Sequence, residues 1–152
     1  MRKIRNKKII VSACLCGINC RYDGRLLSNK SIMKLLSENF CIPVCPEQLG
    51  GLSTPRTPSY ISNGDGMDVI AGNAKVVSFE GKDVTENFIR GAQQVLGIAT
   101  LMDCTHVIFK ENSPSCGLYN IYHQEQLVKG CGVTTALLLT QGFSIRSDQE
   151  LH

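Results

Sequence analysis

No apolar run in this sequence approaches the ~20 residues a helix needs to cross a bilayer, so a membrane-spanning protein is set aside. The basic start, Met1-Arg2-Lys3-Ile4-Arg5-Asn6-Lys7-Lys8, leads into an apolar stretch too short for a secretory signal. The expected compartment is therefore the reducing cytoplasm. Charge of one sign is also scarce. The formal net charge is only +3, a mild excess carried largely by that start, and a nucleic-acid binder would be more lopsided. Nucleotide-binding glycine patterns are missing as well: Gly50-Gly51 reads as a turn, and Gly64-x-Gly66 follows no strand. The three histidines form no constellation, since His106 opens a strand, His123 falls in a loop and His152 is terminal. With no internal repeat, low-complexity tract or linker, a single domain over residues 1–152 is expected.

What the chain does have is cysteine. Eight occur among 152 residues, in a sequence that is 43% hydrophobic and 19% charged, the balance of an ordinary globular chain. That is too dilute for a disulfide scaffold. In a reducing cell, thiols beyond the needs of a core point to metal binding or redox chemistry, while the others pack as small apolar residues.

The pattern of elements decides where those thiols fall. Residues 8–13 (Lys-Ile-Ile-Val-Ser-Ala) form a β-branched apolar run and predict a buried strand. Residues 28–38 place Ile32, Leu35 and Leu36 at helical spacing, with Ser28 or Asn29 available as the cap. Phe40–Val44 reads as a second strand, in which Pro43 argues against a fully paired central position. Residues 48–72 are rich in glycine and proline and predict mostly loop, followed by a strand over 75–79 with Glu80-Gly81-Lys82 as its turn. Asp83 is the expected cap of a long helix with Glu86 three residues on, and Val84, Phe88, Ala92, Val95, Ala99 and Met102 form its apolar stripe. His106–Phe109 is a third buried strand, 131–141 a helix stopped at Gly142, and 143–146 a last strand. Strands alternating with helices predict an α/β, three-layer, Rossmann-like domain, a mostly parallel sheet with helices on both faces.

On that scaffold three cysteines occupy equivalent places. Cys14 follows the first strand, Cys45 the second, and Cys116 lies in the loop after the third, in Lys110-Glu111-Asn112-Ser113-Pro114-Ser115-Cys116-Gly117. Parallel strands put their carboxyl ends on one edge, where open α/β sheets bind ligands. Three thiols remote in sequence should therefore meet in one crevice. Cys41 and Cys104 belong near the opposite edge, Cys131 opens a helix, and these three read as buried small residues. Cys16 and Cys20, in Cys14-Leu15-Cys16-Gly17-Ile18-Asn19-Cys20, lie close enough to supply extra ligands.

The sequence also resembles a known family. Val11-Ser12-Ala13-Cys14-Leu15, Cys20-Arg21-Tyr22-Asp23-Gly24, Pro43-Val44-Cys45-Pro46-Glu47, Gly50-Gly51-Leu52, Thr54-Pro55-Arg56, Gly81-Lys82-Asp83-Val84-Thr85 and Ser113-Pro114-Ser115-Cys116-Gly117 are similar, in order, to its signature segments. It is the bacterial domain family, long of unknown function, that includes the thiouracil desulfurases, and the likeness runs over residues 8–146. The resemblance implies a 4Fe–4S cluster held by three cysteines, matched here by Cys14, Cys45 and Cys116. It also implies a non-redox desulfuration of a thiolated pyrimidine, with sulfur taken by an open iron. A small-molecule substrate is expected, and no membrane or nucleic-acid partner.

Such chemistry needs proton management. Glu47, two residues after Cys45, is the candidate general base, with Glu111 a weaker alternative. Ser113 is the candidate for holding water or substrate, and Ser115 for fixing the turn. Arg21, Tyr22 and Asp23 either recognise a pyrimidine edge or hold their loop, and Arg56 either contacts an anionic or carbonyl group or braces the long loop. Two other readings stay open: a zinc site of three cysteines and water, and a cluster or sulfur carrier in which Glu47 is dispensable.

Overall fold

The computed structural model of the chain describes residues 4–25 and 30–151. Its centre is β1 (Lys8–Ser12), whose Ile9, Ile10 and Val11 are all fully buried. A strand apolar on both faces needs cover on both sides, as in parallel sheets. β1 pairs in parallel with β2 (Phe40–Val44), matching Ile10 to Ile42, and with β5 (His106–Phe109), matching Ile10 to Val107. β5 pairs in parallel with β8 (Ser144–Ser147), so the order is β2-β1-β5-β8. β2 is an edge strand, which is where the missing N–H of Pro43 is tolerated.

Alternation along the strands builds two apolar layers. Ile10, Val107 and Phe109 pack against Val95 and Ala99 of α4 (Thr85–Leu101) and Leu138 of α5 (Val133–Thr140). Ile9, Val11 and Ile108 face the other way, onto Leu15 and onto Ile32 and Leu35 of α1 (Lys30–Glu38). The three-layer α/β reading holds. The expected α1 cap at Ser28 or Asn29 lies outside the described residues.

Residues 48–72 are mostly loop and turn, as expected, but they also carry short elements. The segment begins within α2 (Pro46–Leu49) and carries β3 (Ser59–Ile61) and α3 (Gly66–Ile70). β3 pairs antiparallel with β4 (Val76–Ser78), and β6 (Asn120–His123) with β7 (Gln126–Lys129), giving two small sheets beside the main one. Ile61, Val69, Val76, Phe88, Ile121 and Val133 form their shared core under α4. Strands this short carry too little alternation to stand out from loop. α3 starts on a local device instead, Asp65 accepting from the Met67 amide while Asp68 accepts from the Asp65 amide. His123 thus closes β6 instead of lying in a loop.

Other boundaries differ as well. β1 stops at Ser12, where a 3-10 turn, Ala13–Cys16, begins. The N-cap of α4 is Val84, with Asp83 one residue upstream accepting from the Thr85 amide and hydroxyl. α5 begins at Val133, after Gly132, so Cys131 precedes the helix instead of opening it.

One contact fixes α2. A Cβ built at Gly91 of α4 would overlap the Pro46 carbonyl, and one at Gly50 would overlap that of Asn87. The two backbones therefore touch directly. Among the described residues, no helix is long and apolar enough to cross a membrane.

Candidate active site

The carboxyl ends of β1, β2 and β5 open onto one cavity of about 600 Å3. Each strand delivers a thiol there: Cys14 from the turn after β1, Cys45 from the residue between β2 and α2, and Cys116 from the loop after β5. Glu47 and Ser113 line the same cavity. Cys116 is buried, its amide donating to Ser113 Oγ at 3.2 Å and its carbonyl accepting from Thr135 Oγ1 at 2.9 Å.

A fourth thiol is also present. Cys20 is buried and lines the cavity, and the Cys45 thiol donates to its carbonyl at 3.7 Å. Cys16 does not line it; its thiol donates to the Ser12 carbonyl at 3.8 Å and packs with Cys41 against the α1 face of the sheet. Cys41 precedes the carboxyl end of β2 by three residues, and Cys104 is buried just ahead of β5. Cys131 is buried against Asp65, away from the cavity lining.

The thiols differ sharply in acidity. The Cys20 thiol holds Cys45 down at about 6, helped by the Gln48 amide and Arg56 and opposed by burial and Glu47. The same Cys20 contact lowers Cys14, with Lys110 and Arg21 acting alongside against burial and Cys45. Cys20 itself is driven up, chiefly by those two contacts, and so keeps its proton. Burial pushes Cys116 up, with Ser115 and Ser12 resisting. Cys14 and Cys45 are thus the more readily ionised thiols of the site, whereas burial makes Cys116 slower to release the proton that ligation requires.

Beside the thiols runs a polar chain. Ser115 Oγ donates to Glu47 Oε2 at 3.3 Å and lies 2.9 Å from Ser113 Oγ and 3.6 Å from Cys116 Sγ. Arg56 Nε donates to Glu47 Oε1 at 3.4 Å. Ser113 fixes the turn, its hydroxyl accepting from the Ser115 and Cys116 amides, and Ser115 is the serine in contact with Glu47. Spacing alone did not separate the two, since both flank Pro114.

Glu111 lines the cavity but is only 2% exposed and committed elsewhere. Its Oε1 accepts from the amides of Leu118 at 2.8 Å, Tyr119 at 3.0 Å and Asn120 at 3.1 Å. Those amides and the Ser147 hydroxyl outweigh burial and hold its carboxyl below the ordinary carboxylate value. Arg21 and Tyr22 line the cavity; Asp23 pairs with Arg21 at 3.2 Å and accepts from the Arg25 amide, holding the loop. His106 and His123 lie outside the lining, and His152 lies outside the described residues.

Among the described residues, no three His, Cys, Asp or Glu side chains form a group that could hold a metal ion. Cys14, Cys20, Cys45 and Cys116 nevertheless line one cavity, and soft thiolates gathered this way fit an iron–sulfur cluster. The fold and site define an α/β protein whose sheet edge presents thiols and a carboxylate to one cavity.

The 2-thiouracil desulfurase family matches residues 9–150. The chain belongs to that family of enzymes. It is 46% identical over 147 residues to the uncharacterized protein YbbK of Bacillus subtilis strain 168, covering 95% of this chain and 97% of that one. Among solved structures, it is similar to the 4Fe–4S-dependent thiouracil desulfidase TudS, with a TM-score of 0.84 and 38% identity over 96% of this chain and 93% of that one.

Proposed function

We propose that this single-domain chain removes sulfur from a thiolated pyrimidine resembling 2-thiouracil, using a 4Fe–4S cluster held by Cys14, Cys45 and Cys116. The observation that carries this reading is a carboxylate–serine chain in direct contact with a three-thiol cavity. The balance is hydrolytic: thiocarbonyl and water give carbonyl and hydrogen sulfide, with no net oxidation. When bound through three protein thiolates, such a cluster supplies a Lewis-acidic iron with a free coordination position that takes sulfur.

The remaining work falls to side chains. Glu47 takes a proton from the attacking water and returns it to the ring nitrogen or the departing sulfur. Ser115 and Ser113 hold water or substrate in line with that carboxylate. Ser115 already spends its donor on Glu47, leaving lone pairs to accept from a water. A cavity of about 600 Å3 admits a free base.

The test is sulfide release from 2-thiouracil by anaerobically reconstituted protein, with iron and sulfide content measured in parallel. Wild type releases sulfide at a stoichiometry of four irons per chain under this reading. Glu47→Gln keeps the iron and loses on the order of 10²–10⁴-fold in rate. Turnover within a few-fold of wild type in the loaded Gln variant refutes the proton role. A loaded protein without turnover makes the chain a carrier, and zinc in place of iron refutes the cluster.

A further inference from the structure

We propose that Arg56 is the positioning residue of this site, holding the Glu47 carboxylate and the Cys45 sulfur with one guanidinium. The inference rests on reading Glu47 as the acid–base group and Cys45 as a ligand. The Arg56 side chain is only 7% exposed, and its ion-pair partner Glu47 15%. A cation so enclosed is costly unless its donors are met, and they are. Nη1 donates to the Ser53 carbonyl at 3.0 Å and to Thr54 Oγ1 at 2.9 Å. Those two bonds, to its own neighbours, are all that bracing the loop requires.

The other three reach the site. Nε donates to Glu47 Oε1 at 3.4 Å, Nη2 to the Cys20 carbonyl at 2.9 Å and also to Cys45 Sγ at 4.0 Å. The Arg56 amide adds a bond to the Tyr22 carbonyl at 2.8 Å, so the residue is fastened to the first thiol loop at both ends. Glu47 is left clamped, one oxygen on Arg56 and the other on Ser115, which fixes its carboxylate plane against the cavity. Only a planar, multi-donor cation can span these partners at once; a lysine ammonium is a point charge.

Arg56→Gln and Arg56→Lys in the reconstituted holoprotein test this. Both lower kcat on the order of 10–100-fold at nearly unchanged KM, the scale of losing an outer-sphere partner. Lysine does not rescue, whereas added guanidinium partly restores Arg56→Ala. The cluster potential falls in Arg56→Gln, because a cationic donor to a ligand sulfur is lost. In cluster-free protein assayed below pH 6, iodoacetamide labels Cys45 more slowly in Arg56→Gln than in wild type. A variant that loses thermal stability but keeps wild-type kcat, potential and labelling overturns the proposal and leaves Arg56 a loop brace. Loaded wild type that releases no sulfide overturns the desulfurase reading instead, and potential and labelling still decide Arg56. If Arg56→Gln fails to fold, Arg56→Lys carries the same readouts, and full activity in it overturns the clamp.

Discussion

Cys41 and Cys45 stand on the same strand edge, four residues apart and each half-buried, yet their chemistry is opposite. Burial pushes the Cys41 thiol up, with Cys104 adding to it. Cys45 is also half-buried but meets the Cys20 thiol, the Gln48 amide and Arg56, and is held at about 6. Burial does not decide what a cysteine is for. The donors gathered at the carboxyl end of the strand do, because they favour the thiolate more than desolvation disfavours it.

The largest effect expected from this contrast is all-or-none. Cys14→Ala, Cys45→Ala and Cys116→Ala each abolish cluster retention, whereas Cys41→Ala and Cys104→Ala keep full iron content after anaerobic reconstitution. Cys20→Ala sharpens the comparison: as a protonated hydrogen-bond donor its loss spares the cluster. Iron lost from Cys20→Ala would make it a fourth ligand and close the free position.

Next comes reactivity in the cluster-free protein. Cys45 should label with iodoacetamide along a curve with its midpoint near about 6, the thiolate forming above it. Cys131, raised to about 12 by burial and Asp65, and Cys16, raised to about 11, should stay inert at neutral pH. The expected ratio is on the order of tenfold or more. Peptide mapping that finds Cys16 labelled as fast as Cys45 breaks the contrast.

The smallest effect concerns how Cys45 is held at the edge. Gly91→Ala drives a methyl into the Pro46 carbonyl and must displace α2. Overpacking of this kind costs about 1–3 kcal/mol, visible in urea unfolding, and α2 carries Glu47 with it. Gly97 of the same helix has open space at its Cβ position, so Gly97→Ala is the matched control that keeps stability.

Much of this was legible beforehand, and the reasons are local. The four strands of the main sheet are apolar runs or neighbours of long helices, and a cysteine follows each of three of them in a turn or loop, so convergence needed only the strand order. What escaped was decided by contacts between segments distant in sequence. Nothing around Cys20 distinguishes it from Cys16, yet one faces the cavity and the other the α1 layer. Nothing around Arg56 reveals a partner at Glu47, nine residues back. Short β3, β4, β6 and β7 gain their stability from the core under α4 and from each other, not from any periodicity of their own.

Glu111 has a consequence of another kind. The loop that brings Cys116 to the cavity is wrapped around an internal anion, three consecutive amides pointing at one carboxylate oxygen. Because that carboxyl is held below its ordinary value, its contribution is complete above the unfolded carboxylate range and is withdrawn as pH falls through the depressed value. Acid therefore acts on this molecule from inside. It loosens one of the three arms that would grip a cofactor while the apolar parallel sheet, which holds no such charge, stays intact. Low pH thereby weakens the grip through a residue that ligates nothing.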